Sequence, residues 1–142
     1  MVKLILFINW VLMEAIKILL VDDDQDICEI MTGYLVDIFE EIEIVCVHDG
    51  AKALHNINFH SYDFIFFDLK LPSINGVDLI KATKKKCELD ETEIYVISGN
   101  IDLMAKKCIA EFHIRGVIQK PFNYSDIVEM INLSERRKAL RN

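Results

Sequence analysis

Residues 64–68 read Phe-Ile-Phe-Phe-Asp, and this stretch decides the fold that the sequence predicts. Four consecutive apolar residues lack the alternation of a half-exposed strand and are typical of a strand buried on both faces. Such strands occur in parallel sheets that helices cover on each side. The aspartate that ends the run is therefore expected at the carboxyl end of a buried strand, where open α/β sheets bind their ligands.

Short apolar runs like this one recur along the chain, and segments of helical period separate them. Predicted strands cover residues 18–21, 42–47, 64–67, 94–97 and 117–119. Predicted helices cover residues 26–39, 50–57, 77–87, 103–112 and 125–133. The alternation predicts an α/β fold, a (βα)₅ doubly wound five-stranded parallel sheet.

The length of 142 residues suits one domain with an ordinary hydrophobic core. Hydrophobic residues make up 52% and charged residues 27% of the chain, the balance of a compact protein. We expect a hydrophobic N-terminal extension over residues 1–16, the folded domain over residues 17–135, and a short basic tail over residues 136–142. This division leaves no room for an output domain.

The net charge limits the kinds of partner that we expect, and the spacing of the cysteines indicates the cellular compartment. The net charge of −7 repels nucleic-acid backbones and anionic membranes, so we expect no direct nucleic-acid partner. The cysteines lie far apart and form no CxxC pair, which favours reduced thiols in a cytoplasmic protein. They are Cys28, Cys46, Cys87 and Cys108.

The N-terminal extension has several possible interpretations. Its apolar run, residues 4–13, would span about 15 Å as a helix, half the thickness of a bilayer core, so we expect no stable membrane insertion. A secretory signal would need a small-residue cleavage site after the run, but the predicted strand of residues 18–21 follows almost at once. Two interpretations stay open: an amphipathic segment that packs on the domain, or an upstream start with Met13 as the true first residue.

Polar side chains follow four of the predicted strands. Asp22 and Asp23 follow the first strand, Asp68 the third and Ser98 the fourth, while Lys120 follows the fifth. Parallel strands end at the same edge of a sheet, so these groups are expected to converge on one cleft. Close carboxylates repel each other and attract a cation, and an all-oxygen pocket suits Mg²⁺.

With a metal and a lysine nearby, a carboxylate can attack phosphorus and form an acyl phosphate. Asp68 is the candidate nucleophile, because it lies at the rim of the most apolar strand. The loop that follows contains Pro72, which fixes φ, and Gly76, which can adopt conformations closed to other residues. This loop makes the backbone carbonyl of Lys70 a candidate metal ligand beside Asp68.

The order and spacing of these motifs resemble the receiver domains of two-component response regulators. The resemblance extends from Lys17 to about Leu133. Its elements are Ile18-Leu-Leu-Val-Asp-Asp23, Asp68 with Leu71-Pro72 and Gly76, Val96-Ile-Ser98-Gly99, and Lys120-Pro121-Phe122. Each motif alone occurs by chance in many proteins, whereas all of them in this order and spacing rarely do.

The resemblance implies a flavodoxin-like receiver fold and a role for each site residue. Asp22 and Asp23 would hold Mg²⁺, Asp68 would accept the phosphoryl group, Ser98 would be the switch hydroxyl, and Lys120 would contact a phosphoryl oxygen. The implied donor is a sensor histidine kinase, a histidine phosphotransfer protein or a small phosphodonor, and the implied output is a downstream protein target. Such a stand-alone response regulator is not an enzyme, since it catalyses only its own phosphorylation and dephosphorylation.

Other residues receive a more ordinary interpretation or depart from the family. Asp24 is expected to be a helix cap rather than a metal ligand. Val117 stands where many receivers carry an aromatic residue, so the usual aromatic switch is absent. Lys70 and Asn100 flank the place of an attacking water and, by resemblance, should tune the lifetime of the acyl phosphate. The histidines are assigned to the surface or to turns: His48, His55, His60 and His113.

Other classes of protein fit the same residues less well. A haloacid-dehalogenase-like phosphatase would use Asp22 and Asp24 as nucleophile and general acid, but no acids directly follow Lys120 and Asp68 would have no role. A flavodoxin-like cofactor carrier needs a phosphate loop after Val21, where acids stand instead. A pseudo-receiver that never turns over is disfavoured because all five site positions are filled.

Overall fold

The computed structural model describes residues 1–11, 14–86 and 91–141. Its secondary structure is the predicted alternation of strands and helices, preceded by one more helix at the N-terminus. The elements are α1 (Val2–Val11), β1 (Ile16–Val21), α2 (Gln25–Ile38), β2 (Ile42–Val47), α3 (Gly50–Phe59), β3 (Phe64–Asp68), α4 (Gly76–Lys86), β4 (Glu93–Ser98), α5 (Leu103–Phe112), β5 (Gly116–Gln119) and α6 (Tyr124–Arg141).

All five strands form one parallel sheet in the order β2-β1-β3-β4-β5. Every residue of β3 is buried, as the apolar run at its centre predicts. The strand β3 lies between β1 and β4, in the middle of the sheet. The predicted five-stranded doubly wound sheet is therefore confirmed.

Alternate residues of each strand face opposite layers of helices. On one face, Leu19 and Phe67 belong to a core that includes buried residues of α3, α4 and α5. On the other face, Leu20 and Phe66 belong to a core that includes buried residues of α2 and α6. Two hydrophobic cores, one on each side of the sheet, thus hold the carboxyl ends of the strands in register.

Local sequence explains where the helices begin. The carboxylates of Asp24, Asp49 and Asp102 accept hydrogen bonds from the first turns of α2, α3 and α5. Such side chains satisfy amide groups that have no partner inside the helix. The helix α2 then buries Cys28, Met31 and Leu35, which lie on one face at helical spacing.

Both ends of the chain differ from expectation. The helix α1 exposes its apolar side chains from Leu4 to Ile8, each 44% to 62% accessible, which does not match a segment packed on the domain. Met13, the alternative start, lies outside the described residues, as does Cys87. The helix α6 continues to Arg141, so most of the predicted tail is helical, because residues 135–141 are good helix formers.

Within the described residues, no helix combines the length and the apolar composition needed to cross a membrane. The 10-residue helix α1, the most apolar of them, would span only about 15 Å.

The position of β3 can be tested by truncating Phe66, which is 1% exposed and stacks on Tyr95 with ring centroids 5.2 Å apart. We expect Phe66→Ala to lower the free energy of unfolding by about 3–5 kcal/mol, because it leaves a cavity in a dense core. Urea unfolding measures this loss. The control Val36→Ala, at a side chain that is 56% exposed, should change stability by only about 0.5 kcal/mol. Equal effects of the two variants would contradict the buried position of β3.

Candidate functional site

The three aspartates after β1 have different surroundings. Asp22 is 2% exposed, and its Oδ1 accepts a hydrogen bond of 2.9 Å from the backbone amide of Asp24. Asp23 is exposed. The Asp24 carboxylate accepts from the amide of Asp26 at 2.9 Å and caps α2, as its position predicts. The loop therefore directs Asp22 into the protein and uses Asp24 to start the helix.

Asp68 is the last residue of β3 and is 7% exposed. Its Oδ1 accepts a hydrogen bond of 3.0 Å from the backbone amide of Lys70. This bond fixes the carboxylate and bends the chain back toward the site. The carbonyl of Lys70, which the sequence suggests as a metal ligand, stays a prediction.

The loop after Asp68 ends at Gly76, whose amide donates to the carbonyl of Leu69 at 3.3 Å. A Cβ atom on Gly76 would lie 2.6 Å from the Cα of Leu69, closer than any side chain tolerates. No glycine in the described part of the chain has a positive φ. The expectation that Gly76 supplies a special backbone conformation is wrong, because what it allows is a close approach of two backbone segments.

Lys120 joins the two buried acids. Its Nζ lies 2.7 Å from Oδ2 of Asp22 and 3.2 Å from Oδ2 of Asp68. The backbone amide of Lys120 donates to the carbonyl of Ser98 at 2.8 Å, which holds the end of β5 against β4. The peptide bond between Lys120 and Pro121 is cis.

The charged groups of the site shift one another's pKa values. Burial raises the pKa of Asp22, and the Asp68 charge raises it further, against the hydrogen bonds from Lys120 and Asp24. Burial alone would lower the pKa of Lys120, but its bonds and charge interactions with the two acids outweigh that effect and raise it. Two buried carboxylates with one ammonium group therefore favour an additional cation.

A cation has suitable ligands here. One carboxylate oxygen from each of Asp22, Asp23 and Asp68 lies within 4.8 Å of the other two. Carboxylate oxygens at one edge of a site, open to water on one side, suit Mg²⁺, which keeps several water ligands. The residues present thus fit a magnesium site.

Ser98 is buried at the end of β4, and its hydroxyl is bound within its own loop. The Oγ of Ser98 donates to the carbonyl of Asn100 at 2.7 Å and accepts from the Asn100 amide at 3.3 Å. A cleft of about 540 Å³ separates this loop from the loop after Asp68. Its lining is Asp23, Leu69, Lys70, Leu71, Pro72, Ser73, Ile74, Asn75, Ser98 and Asp102.

Next to Ser98, Gly99 has open space beside it, since a Cβ atom there would meet nothing within 4 Å. The predicted site residues therefore meet at one edge of the sheet. The hydroxyl of Ser98 makes its hydrogen bonds within its own loop.

Two neighbours of the acids were missed from the sequence. The exposed His48 follows β2, and its Nδ1 lies 2.9 Å from the carbonyl of Asp22. The thiol of Cys28 lies 3.8 Å from the same carbonyl and 3.9 Å from Nδ1 of His48. Only the position of His48, just beyond the end of a strand, could have indicated its place at this edge of the sheet.

The raised pKa of Asp22 predicts how stability changes with pH without metal. A pKa above the ordinary 3.8 means that the folded protein binds this proton more tightly than the unfolded chain. The stabilisation is complete below pH 3.8 and is lost as the pH rises through the folded pKa. As the pH rises through this range, we expect Asp22→Asn to lose less stability than the wild type. Denaturant unfolding in the presence of EDTA measures the difference.

The control Asp24→Asn keeps a capping side chain and leaves Asp22 in place, so its pH profile should run parallel to the wild type. If the Asp22→Asn profile also runs parallel to the wild type, the Asp22 carboxyl does not carry the effect.

Comparison with known proteins agrees with this geometry. The model of the response regulator receiver domain family matches residues 18–132. The uncharacterized transcriptional regulatory protein YcbL of Bacillus subtilis is 29% identical over 119 residues, which cover 84% of this chain and 50% of that protein. The response regulator ArlR of Staphylococcus aureus is 28% identical over 126 residues, 89% of this chain and 55% of that protein. The chain thus spans about half the length of the curated relatives it matches.

Solved structures show the same fold. A response regulator receiver domain protein (CheY-like) from Methanospirillum hungatei superposes with a TM-score of 0.75 at 24% identity, over 91% of this chain and all of that one. The chemotaxis response regulator CheY4 of Vibrio cholerae gives 0.73 at 24% identity, over 84% of this chain and 98% of that one. With the match of the family model over most of the chain, the protein belongs to the response regulator receiver domain family of two-component signalling.

Proposed function

We propose that this receiver domain takes a phosphoryl group onto Asp68 in a Mg²⁺-dependent reaction and thereby switches a protein-binding surface. The observation that carries the proposal is the contact of Lys120 with both Asp22 and Asp68, at 2.7 and 3.2 Å. It brings two buried acids and a cation together beside Asp23, which lines the cleft. Such a group of charges is suited to holding an anionic phosphoryl group beside a carboxylate.

Asp22, Asp23 and Asp68 are the side chains that would hold the metal, and the Lys70 carbonyl is the further ligand proposed from the sequence. When bound, Mg²⁺ supplies positive charge that offsets the charge building up on the transferring phosphoryl oxygens. The donor set supports this choice of ion, because it consists of carboxylate oxygens near open solvent.

Asp68 is favoured over Asp22 as the acceptor because it stands at the position that the family resemblance assigns to the acceptor and is the less buried of the two, at 7% against 2% exposed. The oxygens of both carboxylates are held by a backbone amide and by Lys120. The Lys70 amide binds Oδ1 at 3.0 Å, and the Lys120 ammonium contacts Oδ2 at 3.2 Å. In the proposed transfer a carboxylate oxygen of Asp68 attacks phosphorus while the bond from phosphorus to the donor's imidazole nitrogen breaks. Lys120 would stabilise the phosphoryl oxygens, and the open space at Gly99 would admit the donor.

Ser98 would act as the switch. Its hydroxyl would exchange the hydrogen bond to the Asn100 carbonyl for one to a phosphoryl oxygen, a charge-assisted bond worth about 1.5–3 kcal/mol. Inverting a population from 1:99 to 99:1 takes about 5.5 kcal/mol, so the bonds from Ser98 and Lys120 are needed together. The loop after β4 would then move and alter the adjoining surface of α5, β5 and α6.

The proposed partners follow from family membership. The phosphoryl donor would be a sensor histidine kinase or a histidine phosphotransfer protein, and the output a downstream protein target. We propose a cytoplasmic location, in keeping with the free thiols of Cys28, Cys46 and Cys108. The protein would act as a signalling switch and not as an enzyme with a separate substrate.

The phosphatase alternative loses support at Asp24. That interpretation needs Asp24 as a general acid, whereas its carboxylate caps α2 through the amide of Asp26. Asp68 would also stay without a role. The acyl-phosphate proposal uses Asp22, Asp68 and Ser98, which are buried polar residues at this edge of the sheet.

Intact-mass spectrometry with Mg²⁺ and acetyl phosphate or phosphoramidate tests the proposal. We expect one labile phosphoryl adduct, lost in Asp68→Asn and in EDTA, because both the acceptor and the metal are required. The matched control is Asp63→Asn at the opposite end of the same strand, where the carboxylate accepts from the Lys17 amide. It should keep the adduct. No adduct on the wild type with either donor would overturn the phosphoacceptor function.

The switch is tested by Ser98→Ala. We expect this variant to form the adduct as the wild type does but to lose most of the change in hydrogen exchange over residues 99–103 on phosphorylation, since one of two required bonds is missing. The control Ser125→Ala removes an exposed hydroxyl that bonds to Asn123 and should respond like the wild type. A full response in Ser98→Ala would exclude Ser98 as the switch.

A further inference from the structure

The two layers of helices that cover the sheet carry opposite charges. The layer formed by α3, α4 and α5 contains seven lysines and only two acidic residues. The layer formed by α2 and residues 124–133 of α6 contains five acidic residues and no lysine or arginine. The sheet lies between these layers, so the fold separates charges that the net value of −7 for the whole chain conceals.

The lysines of the first layer form a basic face that is open to solvent. The helix α4 packs between α3 and α5 and carries four of the seven lysines. Six of the seven side chains are exposed, and these six define the basic face: Lys52, Lys81, Lys85, Lys86, Lys106 and Lys107. The acidic residues of the three helices, Asp78 and Glu111, are too few to neutralise this face.

The opposite layer presents an acidic face. Its members are the exposed carboxylates of α2 and of the first part of α6: Asp26, Glu29, Asp37, Asp126 and Glu129. The two helices contact each other and pack on the same face of the sheet, so these carboxylates lie on one side of the molecule. The basic residues of α6 all follow Leu133 in the sequence and are not part of this face.

We infer that the basic face is a docking surface for the acidic face of a second copy of this chain, so that copies associate head to tail. Charge complementarity identifies the occupant, because each copy carries both halves of the contact. A two-fold symmetric dimer through either face would instead bring like charges together. The inference does not rest on phosphoryl transfer, since no residue of either face belongs to the proposed acceptor or metal ligands.

The net negative charge of the chain does not prevent this contact. At physiological salt the screening length is about 8 Å, which is less than the diameter of about 10 Å of a single helix layer. An acidic face that approaches the lysines is therefore attracted by them and barely senses the carboxylates on the far side of the sheet.

A second copy also fits the basic face better than a long polyanion does. The carboxylates of Asp49 and Asp102 cap the first turns of α3 and α5, beside the basic face. A nucleic-acid strand that runs along the helices would pass these acids, whereas the acidic face of a second copy is limited to two helices. The size and the sign of the acidic face thus both favour a second copy as the partner.

The two faces lie on opposite sides of the sheet, which determines the kind of assembly. Each contact leaves one copy with an unused basic face and the other with an unused acidic face. Association is therefore heterologous and continues beyond a dimer as the concentration rises.

Sedimentation equilibrium of the whole chain over a series of concentrations tests the inference. In about 0.1 M salt, we expect the weight-average mass to rise with concentration and to pass the mass of a dimer without a plateau. Association should weaken about tenfold or more in about 1 M salt, because the screening length falls from about 10 Å to about 3 Å.

Charge reversal separates the two faces. In the described part of the chain neither Lys85 nor Lys107 forms an ion pair with a carboxylate, so Lys85→Glu with Lys107→Glu alters the basic face without breaking an internal pair. The matching change of the acidic face is Glu29→Lys with Glu129→Lys. Each double variant alone should stay monomeric. An equal mixture of the two should associate again, because one supplies an intact acidic face and the other an intact basic face.

The control Lys3→Glu with Lys17→Glu removes two exposed lysines that belong to neither face, so it changes the net charge as much as the basic-face variant does. It should associate as the wild type does. If one reversed variant fails to fold, the salt series of the wild type and the other variant still decide. A wild type that stays monomeric in about 0.1 M salt would overturn the inference, even if it bound duplex DNA or anionic vesicles. A mass that levels off at a dimer, or a mixture of variants that stays monomeric, would overturn it equally.

Discussion

The ion pairs of Lys120 with Asp22 and Asp68 are the interaction on which the site depends. Asp68 ends β3 and Asp22 directly follows the neighbouring strand β1, so the register that builds the core also places like charges side by side. Two such charges in contact repel by about 4 kcal/mol at an effective dielectric constant of 20. Lys120 follows β5, at the far edge of the sheet, and reaches past the end of β4 to both acids. The repulsion between Asp22 and Asp68 is therefore offset only when β5 has joined the sheet and placed Lys120 beside them.

The loop after β1 and the loop after β4 are built differently. On one side, Asp22, the capping Asp24 and the first turns of α2 form a local unit, in which backbone amides hold the carboxylates. Cys28, one turn into that helix, and His48, beyond the edge strand, both contact the Asp22 carbonyl. On the other side, the Ser98 hydroxyl bonds to the backbone of Asn100 in its own loop. The acidic loop is thus bonded to neighbouring elements, whereas the Ser98 hydroxyl is bonded within its own loop.

Much of this could be predicted from the chain alone. The apolar run that ends in Asp68 indicated a buried central strand, and the position of Asp24 before an amphipathic helix indicated a cap. The role of Gly76 was misjudged, because a close approach to Leu69 is a tertiary contact and a turn conformation is a local one. The exposed apolar surface of α1 was also unexpected, since a local pattern does not tell what a helix face meets.

What the sequence by itself determined is local. Hydrophobic periods of about two and 3.6 residues set the number and kind of elements, and the acids and the lysine follow strands because strand ends can be read from those periods. Only the tertiary structure decided which distant residues meet: the reach of Lys120 to Asp22 and to Asp68, and the contact of Cys28 with His48. These depend on the order and register in which the strands pair, and on side-chain rotamers chosen by that packing. Neither can be read from a single stretch of chain.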